Sequence, residues 1–189
     1  QTTGSGHVLD ASADLDFSPD RKLGHLELVD CGEFQIRAIA TPGHAENHMA
    51  FALEAESILF SGDHVMAWAT TIVAPPDGSM ESYLGSLDLL AKRKDRIFLP
   101  GHGGPVERPQ RHTRALKTHR LQRETAILNR VLAGDRNVEG IVGSVYQSTD
   151  RRLHGAAALT TLAHLERLVR NGKVAMNGPL GLEAVFTPA

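Results

Sequence analysis

The sequence predicts an α/β fold in parts: a sheet-containing domain over residues 1–108, a connecting helix over 109–135, and a small winged-helix domain over 136–189. Short and alternating apolar runs dominate the first part. Helical periodicity takes over from Pro109, and the order helix, helix, short ribbon closes the chain. A length of 189 residues suits one compact domain with a smaller one beside it, at ~100 to 200 residues per domain.

The opening stretch, QTTGSGHVLDASADLDFSPD, is polar, rich in Gly, Ser and Asp, and loop-like. Its Gln1 fits a processed terminus, a tag remnant or the interior of a longer protein. Strand signals begin at LGHLELVD (23–30). From Glu33 to Ala40, Phe34, Ile36 and Ala38 alternate with Glu33, Gln35 and Arg37, the period-two mark of a half-buried strand. Cys31-Gly32 between these runs predicts a hairpin. HMAFALEA (48–55) and SILFSGD (57–63) predict a second one. PPDGSMESYLGSLDLLAKRK breaks with Pro and Gly and then reads as a helix, with Met80, Tyr83, Leu84, Leu87 and Leu90 on one face. Lys92, Arg93 and Lys94 stand at its carboxyl end, where cations suit the helix dipole. RIFLPGH (96–102) is the next strand. Residues 110–133 form a long helix, AGDRN (133–137) breaks it, and VEGIVGSVY follows. In the last helix Leu159, Leu162, Leu165 and Leu168 recur at helical spacing, Asn171-Gly172 stops it, and KVAMNG starts the ribbon.

Composition excludes several classes. Hydrophobic residues are 41% and charged residues 22%, with a formal net charge of −2, so no global field draws the chain to nucleic acid or anionic lipid. The single Cys31 excludes an intramolecular disulfide framework and a Cys-rich zinc knuckle, and a reducing, cytoplasmic setting is expected. No apolar run approaches the ~18 residues of a spanning helix, so no membrane partner is expected.

Three places share one pattern: Ile39-Ala40-Thr41-Pro42-Gly43-His44, Leu59-Phe60-Ser61-Gly62-Asp63 and Ile97-Phe98-Leu99-Pro100-Gly101-His102. In each, an apolar strand ends and a glycine is followed at once by a side chain able to bind a metal. Pro42 and Pro100 cannot donate to a sheet ladder, and the next glycine permits a sharp turn that aims the following side chain off the strand end. Two imidazoles and a carboxylate are usual ligands of catalytic zinc, and a carboxylate has two oxygens with which to bridge two ions.

TPGH at 41–44, SGD at 61–63 and PGHGGPV at 100–106 resemble the second, third and fourth metal motifs of the metallo-β-lactamase superfamily, in the same order. The likeness is to the subgroup with an appended winged helix, which includes the β-lactamase-like protein 2 endoribonucleases. It implies part of an αββα sandwich, with His44 on a first zinc, Asp63 bridging both ions and acting in catalysis, and His102 on the second. It also implies hydrolysis of an ester, thioester or RNA phosphodiester by a metal-bridging hydroxide, with two Zn²⁺ per complete site. The superfamily's first motif, His-x-His-x-Asp-His, is absent here. The chain is therefore expected to be the distal part of a longer hydrolase, binding zinc weakly and inactive alone. Half of a two-sheet sandwich exposes an apolar face, for which a missing amino-terminal segment, a partner chain or self-association is the expected cover.

Other residues carry two readings each. Gly103 and Gly104 either let the backbone pass close to the site or form a plain turn. His48 either orients a ligand or sits on a strand facing solvent, and Trp68 either flanks the site or staples the core. Thr70 and Thr71 fall where the resembling endoribonucleases have a Thr-Thr pair, and either line a substrate pocket or are strand formers. His64, following Asp63, would point away on a continuing strand. Arg108, Arg111, Arg114, Lys117, Arg120 and Arg123 step by three, a spacing that drifts about 60° each time on a helix. They form a solvated spiral or an anion-attracting rim in which Arg120 contacts substrate. The alternative to a hydrolase is a nucleic-acid-binding winged helix on a non-catalytic scaffold.

Overall fold

The computed structural model describes residues 18–189; most of the opening loop-like stretch lies outside the described residues. A mixed five-stranded sheet runs in the order β1 (Leu28–Asp30), β2 (Gln35–Ala40), β3 (Met49–Leu53), β4 (Ile58–Gly62), β5 (Ile97–Pro100). Neighbours β1 to β4 are antiparallel, and β4 pairs parallel with β5 across the helix α1 (Met80–Ala91). Two antiparallel steps separate β2 from β4. Hence β2, β4 and β5 run the same way, and their carboxyl ends meet at one edge of the sheet.

The run 23–30 contributes a shorter strand than its composition predicts. Gly24 N–H donates to the Glu27 carboxylate at 2.7 Å, and Leu26 has a left-handed φ of 64°, so residues 24–27 form a turn. The hairpin at Cys31-Gly32 forms, closed by Gly32 N–H on Asp30 Oδ1 at 2.9 Å.

Helix α1 is capped by Ser79, whose hydroxyl accepts from Ser82 N–H, and it buries Met80, Tyr83, Leu84, Leu87 and Leu90 against the sheet. At about 1.5–3 kcal/mol for each large apolar side chain removed from water, this face anchors the helix. The sheet residues opposite it are Ala50, Ala52, Leu59 and Phe98, all at or near zero exposure.

The long helix α2 (Pro109–Leu132) serves two cores. Leu116 packs with the sheet and α1, whereas Ile127 and Val131 pack with α3 (Val138–Val145), α4 (His154–Arg170) and the ribbon β6 (Val174–Asn177) and β7 (Val185–Pro188). Asn137 caps α3 by accepting from Gly140 N–H at 2.8 Å. Among the described residues no helix is long and apolar enough to cross a membrane.

Candidate functional site

The Thr41-Pro42-Gly43 turn is clamped onto α1. Ser86 Oγ donates to the Pro42 carbonyl at 2.8 Å, and Ser79 N–H donates to the Gly43 carbonyl at 2.9 Å. Gly43 has φ 140°, and a Cβ there would stand 2.3 Å from Tyr83 Cα. Only glycine lets the strand end pass the helix this closely, and the next residue, His44, is thereby fixed in space.

The ends of β4 and β5 are joined by Gly101 N–H donating to the Gly62 carbonyl at 2.9 Å, which sets Asp63 beside His102. The result is one carboxylate between two imidazoles. Asp63 Oδ2 lies 3.8 Å from His44 Nε2, and Asp63 Oδ1 lies 3.8 Å from His102 Nε2. Ligand atoms held about 2.0–2.2 Å from a tetrahedral ion stand about 3.4 Å apart, so each pair is within a few tenths of an ångström of sharing one. Gly101 leaves the space for this arrangement, because a Cβ on it would lie 2.7 Å from Asp63 Oδ1.

Surrounding bonds orient these side chains. His44 Nδ1 faces the Ile72 carbonyl at 2.8 Å; a carbonyl only accepts, so Nδ1 carries the proton and the Nε2 lone pair faces Asp63. His48 accepts the Asp63 backbone N–H on Nε2 at 3.3 Å and faces Thr41 Oγ1 with Nδ1 at 2.8 Å. Burial first, and then the neighbouring His44, hold His48 below the ordinary imidazole pKa, which suits a neutral acceptor. The Thr71 hydroxyl donates to the Asp63 carbonyl.

Among the described residues no three His, Cys, Asp or Glu side chains converge on one point. His44, Asp63 and His102 instead make two pairs that share Asp63. The other singled-out residues fall around them. Thr71 and Arg120 are buried behind Asp63, with the Arg120 guanidinium donating to the Thr71 carbonyl, while Thr70 is exposed on the same segment. Trp68 is 72% exposed and stands over Gly103, so it flanks the site and leaves the core to others. His64 turns inward as the strand stops at Gly62. It is fully buried against Tyr83, with ring centroids 4.4 Å apart, and burial, then His48, push its pKa down to about 3. The orienting roles of Ile72 and Thr71 have no sequence signal, since one acts through a backbone carbonyl and the other through a hydroxyl in an irregular segment.

Comparison with known proteins decides the family. The model of the metallo-beta-lactamase superfamily matches residues 2–102, more than half of the chain. The chain belongs to the metallo-β-lactamase superfamily. A beta-lactamase associated winged helix domain matches residues 138–180, and that match starts where α3 starts. Relatives of this superfamily chain include a beta-lactamase-like protein 2 homolog of Drosophila melanogaster, 32% identical over 142 residues, which are 74% of this chain and 47% of that protein. An atrochrysone carboxyl ACP thioesterase of Aspergillus chevalieri is 30% identical over 142 residues, 72% of this chain and 44% of that one. Among solved structures, a beta-lactamase domain protein from Burkholderia ambifaria superposes with a TM-score of 0.81 at 25% identity, covering 97% of this chain and 57% of the other. A metallo-beta-lactamase family protein of Thermus thermophilus gives 0.76 at 27% identity, covering 88% and 54%. The chain thus spans about half the length of the curated relatives it matches.

Proposed function

We propose that His44, Asp63 and His102 are the distal ligands of a dinuclear zinc centre, and that the longer protein to which they belong hydrolyses a small-molecule thioester or ester. The observation that carries this reading is the Asp63 carboxylate, with one oxygen 3.8 Å from each imidazole Nε2. His44 and Oδ2 would hold one ion, His102 and Oδ1 the other. Ions bound there supply Lewis-acid polarisation of an acyl oxygen and lower the pKa of water toward neutrality. The protein residues do the positioning. Ile72 fixes the His44 tautomer, His48 and Thr71 hold the Asp63 backbone from two sides, and Trp68 shields the approach over Gly103.

A thioester is favoured over RNA on two grounds. One relative is named an ACP thioesterase. In addition, three of the six lysines and arginines over residues 136–189 are tied to carboxylates within the fold: Arg152 on Asp150, Arg167 on Glu124 and Glu81, Arg170 on Glu166. A groove reader keeps such cations free for phosphates, so the same ion pairs weigh against a nucleic-acid-binding module. Two ligands per ion fall short of four-coordination, so the chain alone binds zinc weakly and lacks activity.

The test is zinc content after mild dialysis, measured on this chain and on a protein extended to its relatives' length, together with thiol release from an acyl thioester. Near two zincs and turnover in the extended protein, both lost in Asp63→Asn, with almost none in this chain, is the expected result. Zinc in neither protein would sink the reading; stoichiometric zinc in this chain alone would overturn the split site.

A further inference from the structure

The segment from Trp68 to Ile72 has a second side. It forms one wall of a cavity of about 460 Å³, within the range that takes a small organic ligand. The facing wall comes from α2 and from the winged-helix part, through Tyr146, Leu153 and Ala156. The lining is mostly apolar and includes Trp68, Ile72 and Leu153, residues that are 72%, 41% and 56% exposed.

Its charge is one-sided. His119, Arg120 and Arg123 line the cavity, and among the described residues no carboxylate does. Arg120 is 3% exposed; its guanidinium donates to the Thr71 carbonyl, and among the described residues its Nε–H has no hydrogen-bond partner. Arg123 lies over the Tyr146 ring at 4.5 Å, with Nη1 donating to the Val145 carbonyl at 2.9 Å, which leaves its remaining donors free to serve a ligand. Burial, then the charges of Arg120 and Arg123, hold His119 below its ordinary pKa, as expected in a positive field.

We propose that this groove binds an apolar organic anion, an acyl group carrying one acidic substituent, and that the winged-helix part thereby sets which acyl group the hydrolase accepts. One anionic group meets the free donors of Arg123 and the positive charge lining the cavity, while the apolar walls take the rest of the ligand. The groove and the metal ligands share a wall: Ile72 bonds His44, Thr71 bonds Asp63, and Trp68 covers Gly103 beside His102. The identity of the ligand as substrate rests on the hydrolase reading. The binding itself does not.

Trp68 is the single tryptophan of the chain, so its fluorescence reports the groove directly. Decanoate and decanol are titrated into the full chain in the presence of a chelator. Decanoate is expected to shift Trp68 emission and to bind about ten-fold more tightly than decanol. Ala156→Phe, which fills the groove, and Arg123→Gln, which removes a cation, are each expected to weaken decanoate about ten-fold. Phe60→Asp, on the distant sheet face, should leave it unchanged. Equal binding of acid and alcohol, survival of binding in both groove variants, or its loss only in Phe60→Asp would each overturn the proposal. No metal or turnover enters this measurement, so a failure of the hydrolase reading leaves it intact. In an active extended protein, Ala156→Phe should raise KM for a long acyl thioester and spare an acetyl one; unchanged selectivity would show that the groove's ligand is not the substrate.

Discussion

Asp63 has to do two things at once, presenting both oxygens to imidazoles while its own backbone stays still. Its amide is held by His48 Nε2 and its carbonyl by the buried Thr71 hydroxyl. Replacing Thr71 with Val keeps the shape and removes the donor. We expect a stability loss of about 1–3 kcal/mol, the usual cost of orphaning a half-buried partner. Zinc affinity of the extended protein should fall about ten- to a hundred-fold, as for other residues that orient a ligand. Urea unfolding of the chain and chelator competition on the extended protein measure the two, and Thr71→Ser should restore both. A valine variant that keeps wild-type affinity would mean that Thr71 is only packing. The strand ends that carry His44, Asp63 and His102 were legible in the sequence because Pro and Gly mark them. Their support was not, because Ile72 and Thr71 reach the site from a segment with no periodicity to read.

At the scale of elements, α2 is the part whose surface the sequence describes and whose partners it does not. Basic residues spaced by three drift around the helix, and the structure follows that drift, from exposed Arg111 and Arg114 through half-buried Lys117 to buried Arg120. What α2 meets on its buried side, however, depends on α4. There Glu124 binds His164 Nδ1 at 3.3 Å and also Arg167, which in turn reaches Glu81 on α1. Burial holds the His164 pKa below its ordinary value, against the opposing pull of Glu124, with Arg120 and Arg167 adding to the depression. Folded His164 therefore refuses a proton that the unfolded chain accepts below about pH 6.5, and stability falls on acidification by up to about 1.4 kcal/mol per pH unit. For Glu124, burial is outweighed by the bonds from His164 and Arg167, so its carboxyl sits below its ordinary range. Its contribution is present above the unfolded carboxylate pKa and fades as pH drops through the lower folded value. Urea unfolding at pH 7 and pH 5 should show a smaller acid loss in His164→Gln, which keeps a donor for Glu124 and cannot titrate. An equal loss in both proteins would remove His164 from the account.

For the molecule as a whole, the division into a sheet part and a helical part was legible from the change of period at Pro109. The sharing of α2 and α4 between the two cores was not, because periodicity marks which positions are buried without saying against what. Ala163 of α4 lies in the sheet-side core, while its neighbours Leu162 and Leu165 lie in the other. Cross-strand register aligns Ala38 with Phe51, Phe51 with Phe60, and Phe60 with Leu99, an apolar row over four strands on the side away from α1. The alternate row, Ala52, Leu59 and Phe98, is sealed beneath the helix. Phe60 is 43% exposed, and the described residues place no helix over it. Ala38 is fully buried, but Phe60 with half-buried Phe51 and Leu99 beside it leaves an apolar patch, and such a patch drives association in water. The chain by itself should therefore form concentration-dependent oligomers at tens of micromolar, and Phe60→Asp should return it to monomer in sedimentation velocity. Because Phe60 is already partly in solvent, that substitution should cost only about 0.5 kcal/mol of stability. A wild-type chain that stays monomeric throughout would show that the row is tolerated as surface, and the case for a covering sheet would lose its physical basis.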